Sequence, residues 1–331
     1  SDRCVHRILI YTYIPVARNF WFCYPWVGPL IACSSFSTMQ TLGLNRLKAH
    51  ACQPRIGRCR KRSLSFPKRG ARIAALPSFP EIHELLGHPG LTTGVLCNST
   101  VFALGYKVLR KGLTPLGVAH AWFLGTSIFS AFGLGGYVLV CLYFIFGTLV
   151  TKVKLEQKQK EGIAEARSGQ RGPSSVWGSG IAGVACALLA LATGDYGVWQ
   201  IGFVASFCSK LSDTVSSEVG KAYGRTTYLI TTFQLVPRGT EGAVSLEGTV
   251  AGMIAALLFA ATALVIGQVP TFAAAGVVTA AATVANLAES YLGASAQGRV
   301  AWLSNDVVNM LQISLAAIVA IVANLFILHA A

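Results

Sequence analysis

Asp213, Ser217 and Lys221 stand four residues apart in the run KLSDTVSSEVGKAYGR, residues 210–225, so a helix there carries all three on one stripe. The run follows directly on an apolar stretch. An ionised side chain at bilayer centre costs about 2.5 to 3.5 kcal/mol on insertion scales, so Asp213, Glu218, Lys221 and Arg225 cannot all face lipid. They are expected to line a polar cavity or the membrane surface. A second run, PRGTEGAVSLEGTVAG at residues 237–252, sets Glu241 and Glu247 each before a glycine, ahead of the next apolar stretch. Glycines and hydroxyls at a helix start offer backbone N–H groups to phosphate oxygens, and carboxylates hold the magnesium that travels with phosphate. Neither run is a Walker A loop, since Gly220-Lys221 is followed by Ala222. A third polar group supports a site. Glu289 and Ser290 end one apolar stretch, Gln297 and Arg299 follow, and Asn305, Asp306 and Asn309 open the last. Asn305 and Asn309 share a helix face, while Asn305 and Asp306 suit a capping role equally well.

The elements that position these residues follow from composition. The 331 residues are 53% apolar and 12% charged, about half the charge of an ordinary soluble domain, which makes this a membrane protein. A helix of about 20 apolar residues crosses the hydrocarbon core. That length fits eight spans, near 90–109, 114–132, 135–151, 176–193, 196–212, 248–268, 270–288 and 306–328. The fold class is therefore all-α, a polytopic bundle of about eight (seven to nine) transmembrane helices. Alternating crossings put the loops 110–113, 152–175, 213–247 and 289–305 on one side, and all fourteen basic residues after residue 80 lie in or next to them. The other side receives Glu81, Glu84 and Asp195. The positive-inside bias turns the charged side toward cytosol, matrix or stroma. Within the loop 151–175, a solvated positive anchor accounts for most of the lysines, with Arg167 and Arg171 as modest phosphate candidates. Gly178, Gly180, Gly183, Gly248 and Gly252 have the spacing that lets helix backbones approach.

The net charge of +14 does not indicate nucleic acid. Residues 1–80 hold thirteen Lys/Arg and one acid, whereas the rest holds fourteen basic and twelve acidic residues. From Met39 the chain is rich in Arg, Ser and Ala without acids, the composition of an organellar transit peptide. We therefore expect residues 1–38 to be upstream sequence or an extended presequence, 39–80 a disordered transit peptide, and 81–331 the transmembrane domain. Cys97, Cys141, Cys186 and Cys208 fall singly in apolar runs and read as small apolar residues. The Asn98-Ser99-Thr100 triplet lies in a span and is discounted as a glycosylation site.

The ordered set LSDTVSSEVGKAYG, GTEGAVSLEGTVAG, ESYLGASAQ and LSNDVVN resembles the plant phytyl-phosphate kinases of the vitamin E pathway, within a wider family that includes the transmembrane protein 19 group. The likeness runs over about residues 90–331, and the presequence agrees with the plastid member. It implies transfer of a phosphoryl group from a nucleoside triphosphate, CTP first, to phytyl phosphate, giving phytyl diphosphate for prenylation in a chloroplast membrane with the charged loops in the stroma. It further implies Asp213, Glu218 and Lys221 as catalytic residues, with Asp213, Glu218 and Glu247 holding Mg²⁺. Lys210, Ser217, Arg225, Arg238, Thr240, Gly242, Ser245, Gly248 and Asn305 would bind substrate phosphates. Two rivals stand beside it: a transporter of a small anion or lipid, which is expected to place its charges at midplane in repeated halves, and a non-catalytic assembly factor, which has no need of Gly-flanked acidic loops.

Overall fold

A computed structural model describes residues 87–165, 169–297 and 300–330, with side chains to residue 326. The expected presequence, Glu81, Glu84, Arg167 and Arg299 lie outside the described residues. The apolar stretches form helices α1 (Gly90–Gly112), α2 (Pro115–Thr151), α4 (Pro173–Thr193), α5 (Tyr196–Tyr223), α6 (Leu246–Val265), α7 (Phe272–Ala296) and α8 (Asn305–Ala330). A six-residue helix α3 (Leu155–Lys160) sits in the loop after α2. Starts and stops obey local chemistry. Thr114 caps α2 ahead of Pro115, Ser245 caps α6, Thr271 caps α7, and Gly194 ends α4 in a left-handed conformation.

Helix α2 holds two of the expected spans. Its 37 residues would reach about 55 Å if straight. At Gly133, however, φ is 62° and ψ is −160°, a conformation open to glycine and strained for other residues. Both ends of α2 then meet Arg171. A Cβ added at Gly117 would lie 2.5 Å from the Arg171 carbonyl oxygen, and one at Gly147 would lie 2.6 Å from its Nη2. The helix therefore folds back on itself into two arms. Among the described residues, α2, α4, α6, α7 and α8 are long and apolar enough to cross a bilayer. Helices α1 and α5 are not among these, their runs being diluted by Gly, Ser, Thr, Asn98 and Gln200 as well as by Lys107, Lys210 and Asp213. Large apolar side chains such as Leu104, Phe146, Leu188, Leu258 and Ile318 point outward, where lipid covers them.

Helix α5 packs against α2, α4, α6, α7 and α8, and residues 201–212 are all buried. This sheath lets α5 carry Ser206, Ser209, Lys210 and Ser212 away from lipid. Glycines allow the approach, as expected: a Cβ at Gly183 would lie 2.6 Å from Phe207, one at Gly248 2.5 Å from the Ser216 carbonyl, and one at Gly252 2.9 Å from the Ser212 carbonyl. Asn98 is fully buried, donating to the Trp122 carbonyl at 2.8 Å and to Thr126 at 2.9 Å, so its amide is unavailable for glycosylation. The described cysteines are free thiols, Cys186 and Cys208 buried and Cys97 and Cys141 partly so.

Two features depart from the sequence reading. Helix α5 runs eleven residues beyond the span expected to end at 212. After it, β1 (Thr227–Leu229) pairs antiparallel with β2 (Ala243–Ser245), in the register Thr227↔Ser245, Tyr228↔Val244 and Leu229↔Ala243. This small ribbon interrupts an otherwise helical fold and hands the chain back to α6.

Candidate functional site

The loops assigned to the charged side close on one another. The Thr114 amide donates to the Arg171 carbonyl at 3.0 Å, and the Arg171 amide to the Gly112 carbonyl at 2.9 Å. Lys154 donates to the Ala222 carbonyl at 3.1 Å. Gly239 presses on Ile163, and Gly242, with φ at +70°, fits so tightly against α7 that a Cβ would lie 2.4 Å from Ala294. Between these loops opens a cavity of about 470 Å³. Its walls come from the second arm of α2, the loop from α3 to α4, the C-terminal half of α5, the ribbon with its linker, the end of α7 and the start of α8.

Most of the candidates converge here. Lys210, Asp213, Ser217, Glu218, Lys221, Arg238, Thr240, Gly242, Ser245 and Asn305 all line the cavity, together with Glu241, Glu289, Ser290, Asp306 and Asn309. Ser304 accepts from the Val307 amide at 3.4 Å at the start of α8, which leaves Asn305 and Asp306 to face the cavity.

Arg225, Glu247 and Gly248 are not in the lining. The Arg225 side chain is exposed, and its amide donates to Glu247 Oε1 at 3.3 Å. Glu247 sits in the first turn of α6, two residues after the extended cap Ser245, with its second oxygen, Oε2, buried and without a hydrogen-bond partner among the described residues. Gly248 receives the Ser245 cap and packs on α5, a structural role in place of the expected phosphate cradle. Ser217 donates to the Thr214 carbonyl at 3.3 Å.

Ion pairs organise the walls. Lys210 donates to Asp213 at 2.6 Å and to Asn309 Oδ1 at 2.8 Å. Lys158 pairs with Glu218, both 1% exposed, and also donates to the Thr151 carbonyl at 2.8 Å. Lys158 is thus a buried tie across sixty residues, an exception in a loop whose Lys152, Lys154 and Lys160 are exposed as a solvated anchor requires. Lys221 lies 3.3 Å from Glu165 and 3.6 Å from Glu218. Burial pulls its ammonium down, but the two carboxylates more than reverse this and hold it above the usual lysine value. Arg238 clamps both oxygens of Glu161 at 2.9 and 3.0 Å.

The expected metal triad does not form. Glu218 is engaged by Lys158, Glu247 is not in the cavity lining, and among the described residues no three His, Cys, Asp or Glu side chains are placed to hold an ion by themselves. Magnesium bound to a nucleotide needs less, taking one or two protein carboxylates and completing its shell with phosphate oxygens and water. Asp213, Glu241 and Glu289 line the cavity and have the right donor chemistry for that mode.

The model of the integral membrane protein DUF92 family matches residues 98–317, which include every residue lining this cavity. The chain belongs to this family. Among the DUF92 chain's relatives, the chloroplastic protein VTE6 of Arabidopsis thaliana is 50% identical over 247 residues, covering 73% of this chain and 74% of its own length. An uncharacterized membrane protein of Synechocystis sp. is 48% identical over 240 residues, covering 72% and 92%. One from Methanocaldococcus jannaschii is 32% identical over 212 residues, covering 64% and 85%. No solved structure matches.

Three parts of the DUF92 cavity escaped the sequence reading. Tyr143 donates to Ser179 at 2.8 Å, and both line the cavity from within apolar helices. Their signal, single hydroxyls in a span, is too common to single out. Glu165 gave none beyond its place in a charged loop.

Proposed function

We propose that this DUF92 protein is a membrane-bound prenyl-phosphate kinase acting on phytyl phosphate, with CTP as the first donor to test and a chloroplast membrane as its site. The observation that carries the reading is the cavity itself, where cations, carboxylates and hydroxyls from distant segments meet at one rim of an apolar bundle. A prenyl tail stays among lipid and apolar helices while its phosphate enters that rim. The motif resemblance to the phytyl-phosphate kinases, the likeness to a chloroplastic plant protein and the organellar composition of residues 39–80 support the assignment. A role in tocopherol biosynthesis follows from the same reading.

The acceptor is already a phosphate. One of its oxygens attacks the γ-phosphorus of the donor, the bond to the β-phosphate bridging oxygen breaks, and the nucleoside diphosphate leaves with that electron pair. Prenyl diphosphate results, and no covalent enzyme intermediate or strong general base is needed. The work of the protein is positioning and charge neutralisation. Lys210 and Lys221, held by carboxylates at the rim, bring positive charge to the phosphates, and Thr240 and Asn305 offer polar contacts. One or two of Asp213, Glu241 and Glu289 would hold a nucleotide-borne magnesium, which supplies further neutralisation when bound. Glu218 serves instead to anchor Lys158.

The test is an assay of purified protein with phytyl phosphate and each of the four nucleoside triphosphates, following diphosphate formation. Asp213→Asn keeps a polar contact for Lys210 and is expected to lower turnover about a hundredfold or more with the fold intact. No diphosphate with any donor would overturn the assignment, and an active Asp213→Asn would remove that carboxylate from the chemistry.

A further inference from the structure

Cations around the cavity are mostly spoken for. Lys210 has Asp213, Lys221 has Glu165 and Glu218, and Arg238 has Glu161. Arg171 differs. It lines the same cavity, yet among the described residues no carboxylate lies within ion-pair distance of its guanidinium. Its backbone is nevertheless held on both sides, by the bonds to Gly112 and Thr114. Its guanidinium is held as well, lying 4.8 Å from the centre of the Tyr143 ring and against the Gly147 backbone, where a Cβ would come within 2.6 Å of Nη2. A cation stacked on an aromatic face keeps its N–H edge for a ligand.

A guanidinium fixed in this way, lining a polar cavity and, among the described residues, not ion-paired to any of its carboxylates, has the geometry that suits two oxygens of one phosphate. We propose that Arg171 is the principal phosphate-gripping residue of the cavity, with the ion-paired Lys210 and Lys221 adding positive charge beside it. The proposal rests on the reading of this cavity as a phosphate site and adds the residue that decides affinity. Gly147 then has a role beyond helix packing, since its missing side chain makes room for the guanidinium. The shared ligand chemistry is a phosphate ester, carried either by the prenyl substrate or by the nucleotide.

The experiment measures binding of inorganic pyrophosphate, phytyl phosphate and CTP to the detergent-solubilised full chain by calorimetry, for the wild type, Arg171→Gln, Gly147→Ala and Lys160→Gln. Arg171→Gln leaves the backbone bonds in place and is expected to weaken pyrophosphate at least tenfold. It should weaken phytyl phosphate, CTP or both, and the arm that changes identifies which phosphate is held. Gly147→Ala keeps the arginine but displaces its guanidinium, so it should weaken the same probes with the fold preserved. The exposed Lys160 removes equal charge outside the cavity, and its variant should bind as wild type does. Wild-type affinity in both Arg171→Gln and Gly147→Ala overturns the proposal, as does a wild type that binds none of the probes. If the wild type binds them, Arg171→Gln does not, and no nucleotide supports transfer, Arg171 stands and the kinase reading falls.

Discussion

Removing Lys158 tests whether the loop after α2 is built into the protein or only lies over it. The ammonium is 1% exposed, as is the Glu218 carboxylate it holds, and it also bonds the Thr151 carbonyl. Deleting one member of a buried ion pair costs about 3 to 5 kcal/mol because the other charge is left desolvated. In Lys158→Ala, Lys221 remains 3.6 Å from Glu218 Oε1, which places the expected cost near the lower end, about 3 kcal/mol. At about 1.4 kcal/mol per tenfold, that lowers the folded-to-unfolded ratio by roughly a hundredfold. The assay is SDS-titrated unfolding of the detergent-solubilised protein, read by proteolytic susceptibility. Replacing both partners, as Lys158→Met with Glu218→Leu, removes the stranded charge and should recover most of the loss, as apolar replacements of buried pairs generally do. The double variant should also keep phosphoryl transfer if Glu218 is an anchor. A Lys158→Ala protein as stable as the wild type would refute the tie, and an inactive but stable double variant would return Glu218 to the chemistry.

Two further substitutions probe the scaffold. Gly133→Ala places a Cβ on the φ of 62° that reverses α2, and is expected to cost about 1 to 3 kcal/mol and to reduce recovery of monodisperse protein in size-exclusion chromatography. Gly248→Ala drives a Cβ to 2.5 Å from the Ser216 carbonyl and should destabilise by about 1 to 3 kcal/mol in the same SDS titration, whereas Gly105→Ala, inside α1 with open space around it, should stabilise by about 0.5 to 1 kcal/mol.

Spans and sidedness were legible because lipid allows few solutions. A bilayer demands about twenty apolar residues per crossing, so the eight expected spans fall on helices, two of them on either side of the Gly133 break in α2, and five of the described helices are long and apolar enough to cross. Parity then sent the loops 152–175, 213–247 and 289–305 to one side, and their residues do meet around one cavity. Helical period also placed Asp213, Ser217 and Lys221 on a common wall.

What the sequence determined by itself is therefore which residues are spanning, which are polar and on which rim they gather, since these depend on local composition and period. Tertiary structure alone decided who touches whom. Glu218 meets Lys158, Glu247 accepts from the Arg225 amide outside the cavity lining, and Arg171 is seated by Tyr143 and by glycines from both arms of α2. Such pairings join residues tens of positions apart, and they are set by how helices cross and where loops close, which no periodicity within a single segment encodes.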